Sequence, residues 1–175
     1  MSDVYETGRY VGEYLLFHFG KPKEIINWPG GPNSALDFPV RTVGHFSGGE
    51  VGRALDVGCA VGRSTFELSR NAREVIGIDF SLAFIESAER IRQGELLRFD
   101  RLEEAGETTR LEVGIPEGIS SERIRFEVGD AMDLRPDLGS FDRVHAANLV
   151  CRLPEPRRFL ERLHDLVTPG GELVL

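Results

Sequence analysis

The chain has 175 residues, 41% of them hydrophobic and 29% charged, with a formal charge of −8. That length fits one domain with a substantial core, and an acidic balance with only two lysines, Lys21 and Lys23, excludes a broad nucleic-acid footprint. No apolar run approaches the ~20 residues that span a bilayer, the acidic start from Met1 to Glu6 lacks a signal-peptide core, and two distant cysteines, Cys59 and Cys151, without metal-ligand spacing imply a reducing cytoplasm.

In chain order, residues 1–20 read as a helix: Tyr10, Val11, Tyr14, Leu15, Phe17, His18 and Phe19 form an apolar-aromatic face, and Gly20-Lys21-Pro22 stops it. A Pro/Gly/Asn-rich loop follows, from Asn27 through Pro29 to Asn33. A short helix is expected over Ser34–Phe38 and another over Val40–Glu50, so that residues 1–50 form a helical cap. From Val51 to Leu175 strands and helices alternate, which implies a doubly wound, mostly parallel α/β sheet with right-handed crossovers. The strands are expected from Val51 into the glycine-rich turn that ends at Gly62, at 74–79, 123–131 and 139–147, and from Glu172. The helices are expected at 63–72, 81–93 and from Pro154 to Val167, with a hairpin inserted at 96–115. A complete sheet of this kind would continue through two more strands, so the chain reads as truncated inside its fifth, leaving an apolar unpaired edge.

The chemistry concentrates at the strand tips. Arg53 to Gly62 reads as a buried strand running into a glycine-rich turn, where small residues let the backbone approach a bulky ligand and the next helix offers free N–H groups. A dinucleotide fingerprint laid over this turn uses Gly58 and Ala60 but puts Arg63 where a third small residue is needed, which disfavours an NAD-binding module. The second strand ends on Asp79, about twenty residues past Gly58 and suited to both hydroxyls of a ribose. Asp130 closes the third strand, where an acid can accept from an adenine amino group. Capping of the next helical turn is the bland alternative for each acid.

The pattern Asp-x-Gly-x-Ala-x-Gly over Asp56–Gly62 resembles the first motif of class I S-adenosylmethionine (SAM) methyltransferases, which implies a Rossmann-like fold and SAM as cofactor. A narrower likeness runs over essentially the whole chain, weakening across 96–120: Tyr5-Glu6-Thr7, Glu13 to Gly20, Gly31-Pro32 with Ala35 to Arg41, Ala54 to Ser64, Gly77 to Ser81 and Ala146 to Pro154. These runs resemble the methyltransferase part of the ovothiol-biosynthesis enzyme, the 4-mercaptohistidine N-methyltransferase family. The resemblance implies methyl transfer to an imidazole nitrogen, a mercaptohistidine-like small-molecule substrate, a separate sulfoxide synthase supplying it, no bound metal, and no nucleic-acid or membrane partner.

On that reading the cofactor contacts fall on Asp56, Gly58, Cys59, Ala60 and Gly62 around the methionine part, Asp79 and Phe80 at ribose and adenine, and Asp130 and Ala131 at the adenine edge. Asn148 stands past the fourth strand, where it serves SAM through its backbone or the substrate through its amide. Tyr14, His18, Arg41 and Arg152 are the substrate candidates; core packing is the simpler account of Tyr14 and His18, and a surface role is as good for Arg41. His145 reads as a core histidine, and Cys59 and Cys151 as buried small hydrophobes. No residue is singled out as general base. The alternatives are a SAM-dependent methyltransferase on another small molecule, or a SAM-binding fragment without turnover.

Overall fold

The computed structural model describes residues 3–26, 28 and 30–175; Asn27 and Pro29 of the expected loop, and Met1 and Ser2, lie outside the described residues. Five strands form one all-parallel sheet: β1 (Val51–Val57), β2 (Ala72–Asp79), β5 (Ile124–Val128), β6 (Phe141–His145) and β7 (Val167–Val174), in the order β5-β2-β1-β6-β7. The strand order reverses between β1 and its neighbours, which is where an open α/β sheet forms a crevice at its carboxyl rim. The inserted segment forms its own antiparallel hairpin, β3 (Leu97–Leu102) with β4 (Thr108–Val113), as the alternation of Leu97, Phe99, Leu111 and Val113 predicts.

Both faces of the sheet are covered, so the central strands read as near-continuous apolar runs. Ala54 and Val75 face one core, with Phe66 of α4 (Arg63–Leu68), Phe84 and Ile91 of α5 (Leu82–Arg92), and Leu15 of α1 (Gly8–Phe19). Leu55, Val57, Ile76 and Ile78 face the other, with Phe159, Leu163 and Leu166 of α6 (Pro156–Leu166). Among the described residues, no helix is long and apolar enough to cross a membrane.

Several boundaries differ from expectation for local reasons. The first helix splits into a 3₁₀ turn, Asp3–Glu6, and α1, because Thr7 adopts extended backbone between them. Pro22–Ile25 adds one short helical turn, α2. In the 34–38 segment a 3₁₀ turn, Asn33–Ala35, takes the place of the expected helix, and Phe38 already belongs to the next one. Helix α3 spans Phe38–Val43, because Pro39 is pre-set for a first helical turn and Gly44 ends it. Helix α4 stops at Leu68, where the Ser69 hydroxyl donates to the Phe66 carbonyl. The fifth strand starts at Val167 rather than Glu172. Its Thr-Pro-Gly-Gly run is an irregularity within the strand, where pairing shifts between Phe141 and Arg143, and Pro169 is tolerated because β7 is an edge.

Candidate active site

At the carboxyl rim, beneath the front helices, lies a cavity of about 460 Å³, within the range of small-molecule sites. The turn after β1 supplies its floor. Gly58 and Gly62 hold φ of 75° and 86°, and Ala60 a left-handed φ of 47° that costs a Cβ-bearing residue strain. A Cβ on Gly62 would sit 2.6 Å from Phe126 Cζ, so the turn takes glycine there for helix packing. The strain at Ala60 is held by Asp79: its Oδ2 accepts from Ala60 N at 2.8 Å and its Oδ1 from Ser81 N at 2.9 Å. Burial pushes the Asp79 carboxyl up, against the Ser81 and Ala60 N–H groups that pull it down.

Nine of the residues expected at the site line this cavity: Gly58, Ala60, Asp79, Phe80, Ala131 and Asn148, and from the acceptor candidates Tyr14, His18 and Arg152. Asn148 carries a left-handed φ of 57°, a conformation asparagine tolerates better than most residues. Arg152 reaches only the Tyr5 hydroxyl, at 3.5 Å, and has no carboxylate partner among the described residues. Tyr14 packs on Phe84 with ring centroids 4.5 Å apart, and burial raises its phenol. Burial pushes the His18 imidazole down to about 4, with Asp56 opposing and Arg63 adding to the shift, so the ring is neutral. Its Nδ1 is shut off from solvent and has no hydrogen-bond partner among the described residues.

Five expected residues stand elsewhere. The Asp56 carboxylate is only 1% exposed and already satisfied: Oδ2 accepts from Ser64 at 2.7 Å and Thr65 at 2.6 Å, and Oδ1 meets His145 Nδ1 at 2.7 Å. Burial pushes that carboxyl up, but His145, Thr65 and Ser64 outweigh it and hold it below the usual range. Cys59 is buried beneath the turn, its thiol driven well up by burial and by the nearby Asp56 and Asp79. Gly62 packs on Phe126 and Ala88 rather than lining the cavity. Asp130 accepts from Met132 N at 2.8 Å, capping the 3₁₀ turn Ala131–Asp133, so the bland alternative describes its carboxylate. Arg41 donates to the Leu36 and Ala35 carbonyls and ties α3 to the preceding loop. Cys151, expected inside, is exposed.

The sequence reading missed the cap side of the cavity. Phe17, Phe38, Pro39 and Thr42 line it, as do Ser64 and His145. Phe17 and Phe38 stack across α1 and α3 with centroids 6.4 Å apart. Helical periodicity marks the aromatic face of α1 but says nothing of which element it meets.

The comparisons agree with this geometry. A family model described as a methyltransferase domain matches residues 55–173. A demethylmenaquinone methyltransferase from Clavibacter sepedonicus is 27% identical over 123 residues, covering 70% of this chain and 40% of the relative. The chain thus spans about two fifths of that curated relative's length. A TehB-like SAM-dependent methyltransferase from Corynebacterium glutamicum superposes with a TM-score of 0.57 at 16% identity, over 95% of this chain and 72% of that one. Phosphoethanolamine N-methyltransferase 1 from Haemonchus contortus, solved with phosphoethanolamine and S-adenosylhomocysteine (SAH), gives 0.56 at 20%, over 99% and 32%. At those identities the two structures speak for the fold alone. With the family match covering well over half of the sequence, the chain belongs to the methyltransferase domain family, a class I fold whose cofactor is S-adenosylmethionine.

Proposed function

We propose that residues 51–175 bind SAM along the carboxyl rim and, with the cap formed by residues 1–50, transfer its methyl group to a ring nitrogen of a mercaptohistidine-like imidazole. When bound, SAM supplies an electrophilic methyl whose carbon–sulfur bond breaks with the electron pair left on sulfur. The protein's share is alignment and a dry pocket. Both inner lone pairs of Asp79 are taken by backbone N–H groups, and the outer ones accept from the ribose hydroxyls. Gly58 and Ala60 admit the methionine part close to the backbone. Phe80 and Ala131 flank the adenine. Asp56, Cys59, Gly62 and Asp130 shape this groove from behind.

The observation that carries the acceptor reading is the cavity's aromatic wall, in which a neutral His18 imidazole stands with Tyr14, Phe17 and Phe38. Such a wall takes a flat ring by stacking, which sets the plane in which the ring lies. Arg152 pairs with the carboxylate of an amino-acid substrate. Orientation matters because the sulfur of a mercaptoimidazole is the softer nucleophile, and the site must turn a nitrogen toward the methyl group. A separate sulfoxide synthase supplies this substrate, and the free thiols Cys59 and Cys151 fit a reducing cytoplasm.

The test is product analysis after incubation with SAM and mercaptohistidine. N-methylation supports the reading, and dominant S-methylation refutes it. A second reading, another small flat acceptor, is favoured by the apolar wall of Phe17, Phe38 and Pro39. It would show as methylation of other azoles or phenols in preference to mercaptohistidine.

A further inference from the structure

Asp56 on β1 and His145 on β6 are direct partners across the sheet, so their side chains emerge side by side on one face. His145 Nδ1 lies 2.7 Å from Asp56 Oδ1, and His145 Nε2 lies 2.9 Å from Thr42 Oγ1 on α3. His145 is 3% exposed, yet both it and Thr42 line the cavity, beside Phe38, Pro39 and His18. A chain of groups able to carry a proton thus runs from the cavity wall, through the cap, to a carboxylate under the sheet.

The hydrogen-bond inventory narrows what this chain holds. Asp56 Oδ2 already takes two hydroxyl protons, from Ser64 and Thr65, which suits an ionised carboxylate. An ionised Asp56 requires the proton on His145 Nδ1, and in a neutral ring that placement leaves Nε2 bare. The Thr42 hydroxyl then has one proton and rival acceptors: His145 Nε2, or the Phe38 and Pro39 carbonyls, each at 3.1 Å. It can therefore turn between the helix backbone and the imidazole.

We propose that His145 is the proton acceptor of the reaction, that Thr42 hands the proton to it, and that Asp56 positions the ring. This rests on the acceptor reading above. Once a ring nitrogen of the acceptor has taken the methyl group, the ring is a cation bearing an N–H. That proton moves to Thr42 Oγ1 as the hydroxyl proton moves to His145 Nε2. The products are a neutral methylated ring, an unchanged Thr42, and a His145 imidazolium paired with the Asp56 carboxylate, which later releases its proton to water.

The experiment combines nitrogen NMR of histidine-labelled protein in complex with SAH and turnover of mercaptohistidine. In the SAH complex at pH 7.5, His145 is expected to show a protonated Nδ1 and a bare Nε2. In Asp56→Asn, the side-chain amide donates to Nδ1 instead, and the proton moves to Nε2. A His145 protonated on both nitrogens would overturn the proposal, because such a ring has no place for a proton. Thr42→Val keeps the shape and removes the hydroxyl. Its kcat should fall about 100-fold, as for loss of a proton-transfer group, with SAH affinity within about twofold of wild type. Thr42→Val and His145→Asn both retaining wild-type kcat would overturn the proposal. If the parent protein binds SAH but does not methylate mercaptohistidine, the acceptor reading fails by itself. The spectra then decide on His145: a bare Nε2 that Asp56→Asn protonates upholds its role, and a doubly protonated ring or an unchanged tautomer ends it.

Discussion

Replacing Asp79 by asparagine isolates its two duties, holding the turn and holding the nucleoside. The carboxylate uses one oxygen for Ala60 N at 2.8 Å and the other for Ser81 N at 2.9 Å. An amide has a single acceptor oxygen, so one of these N–H groups must face an NH₂. An orphaned buried donor costs about 1–3 kcal/mol. At about 2–4 °C per kcal/mol for a chain of this size, melting should drop by roughly 2–12 °C. On the ligand side, one ribose hydroxyl loses a charge-assisted acceptor worth about 1.5–3 kcal/mol, which is a roughly 10- to 100-fold weaker Kd. Titration calorimetry with SAH gives the affinity and scanning calorimetry the stability. A lowered melting point with a Kd within about twofold of wild type would refute the ribose contact and leave Asp79 as a staple for the turn.

Other substitutions probe separate parts of the site. Gly62→Ala combines a left-handed φ of 86° with a Cβ 2.6 Å from Phe126, so denaturant unfolding should show a loss of about 2–4 kcal/mol; a neutral result would mean the turn relaxes freely. His18 is held neutral with its imidazole near 4, against about 6.5 when unfolded. The unfolded chain then binds the extra proton first, so acidification from about pH 6.5 to 4 should cost stability, up to about 3 kcal/mol, and His18→Phe should remove that part of the pH dependence. Asp56, held below the usual carboxylate range, contributes stability at neutral pH that is lost as pH falls through its folded value; Asp56→Asn should flatten this acid limb in urea titrations. Arg152→Met should raise KM for an amino-acid acceptor about tenfold while SAH affinity stays put, the loss of one exposed charge-assisted pair. An unchanged KM would remove Arg152 from substrate binding.

The strands and the turn were legible because burial on both faces leaves β1 and β2 largely apolar towards their carboxyl ends, with Asp56 next to last in β1 and Asp79 closing β2. Asp79 could be placed from spacing alone, since a doubly wound sheet puts the second strand's tip beside the first turn. Asp56 could not be read as buried and satisfied. That depends on the register that sets it against His145 and on the entry of α4, which brings Ser64 and Thr65 to it. The same register hid His145, an unremarkable strand residue until its partner is known. The cap resisted reading because its helices are short and Pro39 moved the start of α3, which carries Thr42 to the cavity. Asp130 could not be assigned from sequence, because an acid after a strand serves equally well as a cap or as a ligand, and the structure shows the cap contact to Met132 N.

The most direct measurement is a crystal structure of the chain grown with SAH. The nucleoside is expected along the carboxyl rim, with both ribose hydroxyls within about 3 Å of the Asp79 carboxylate and the sulfur on the side of the cavity shared by Thr42 and His145. A nucleoside seated elsewhere, or one whose ribose turns away from Asp79, would contradict the account.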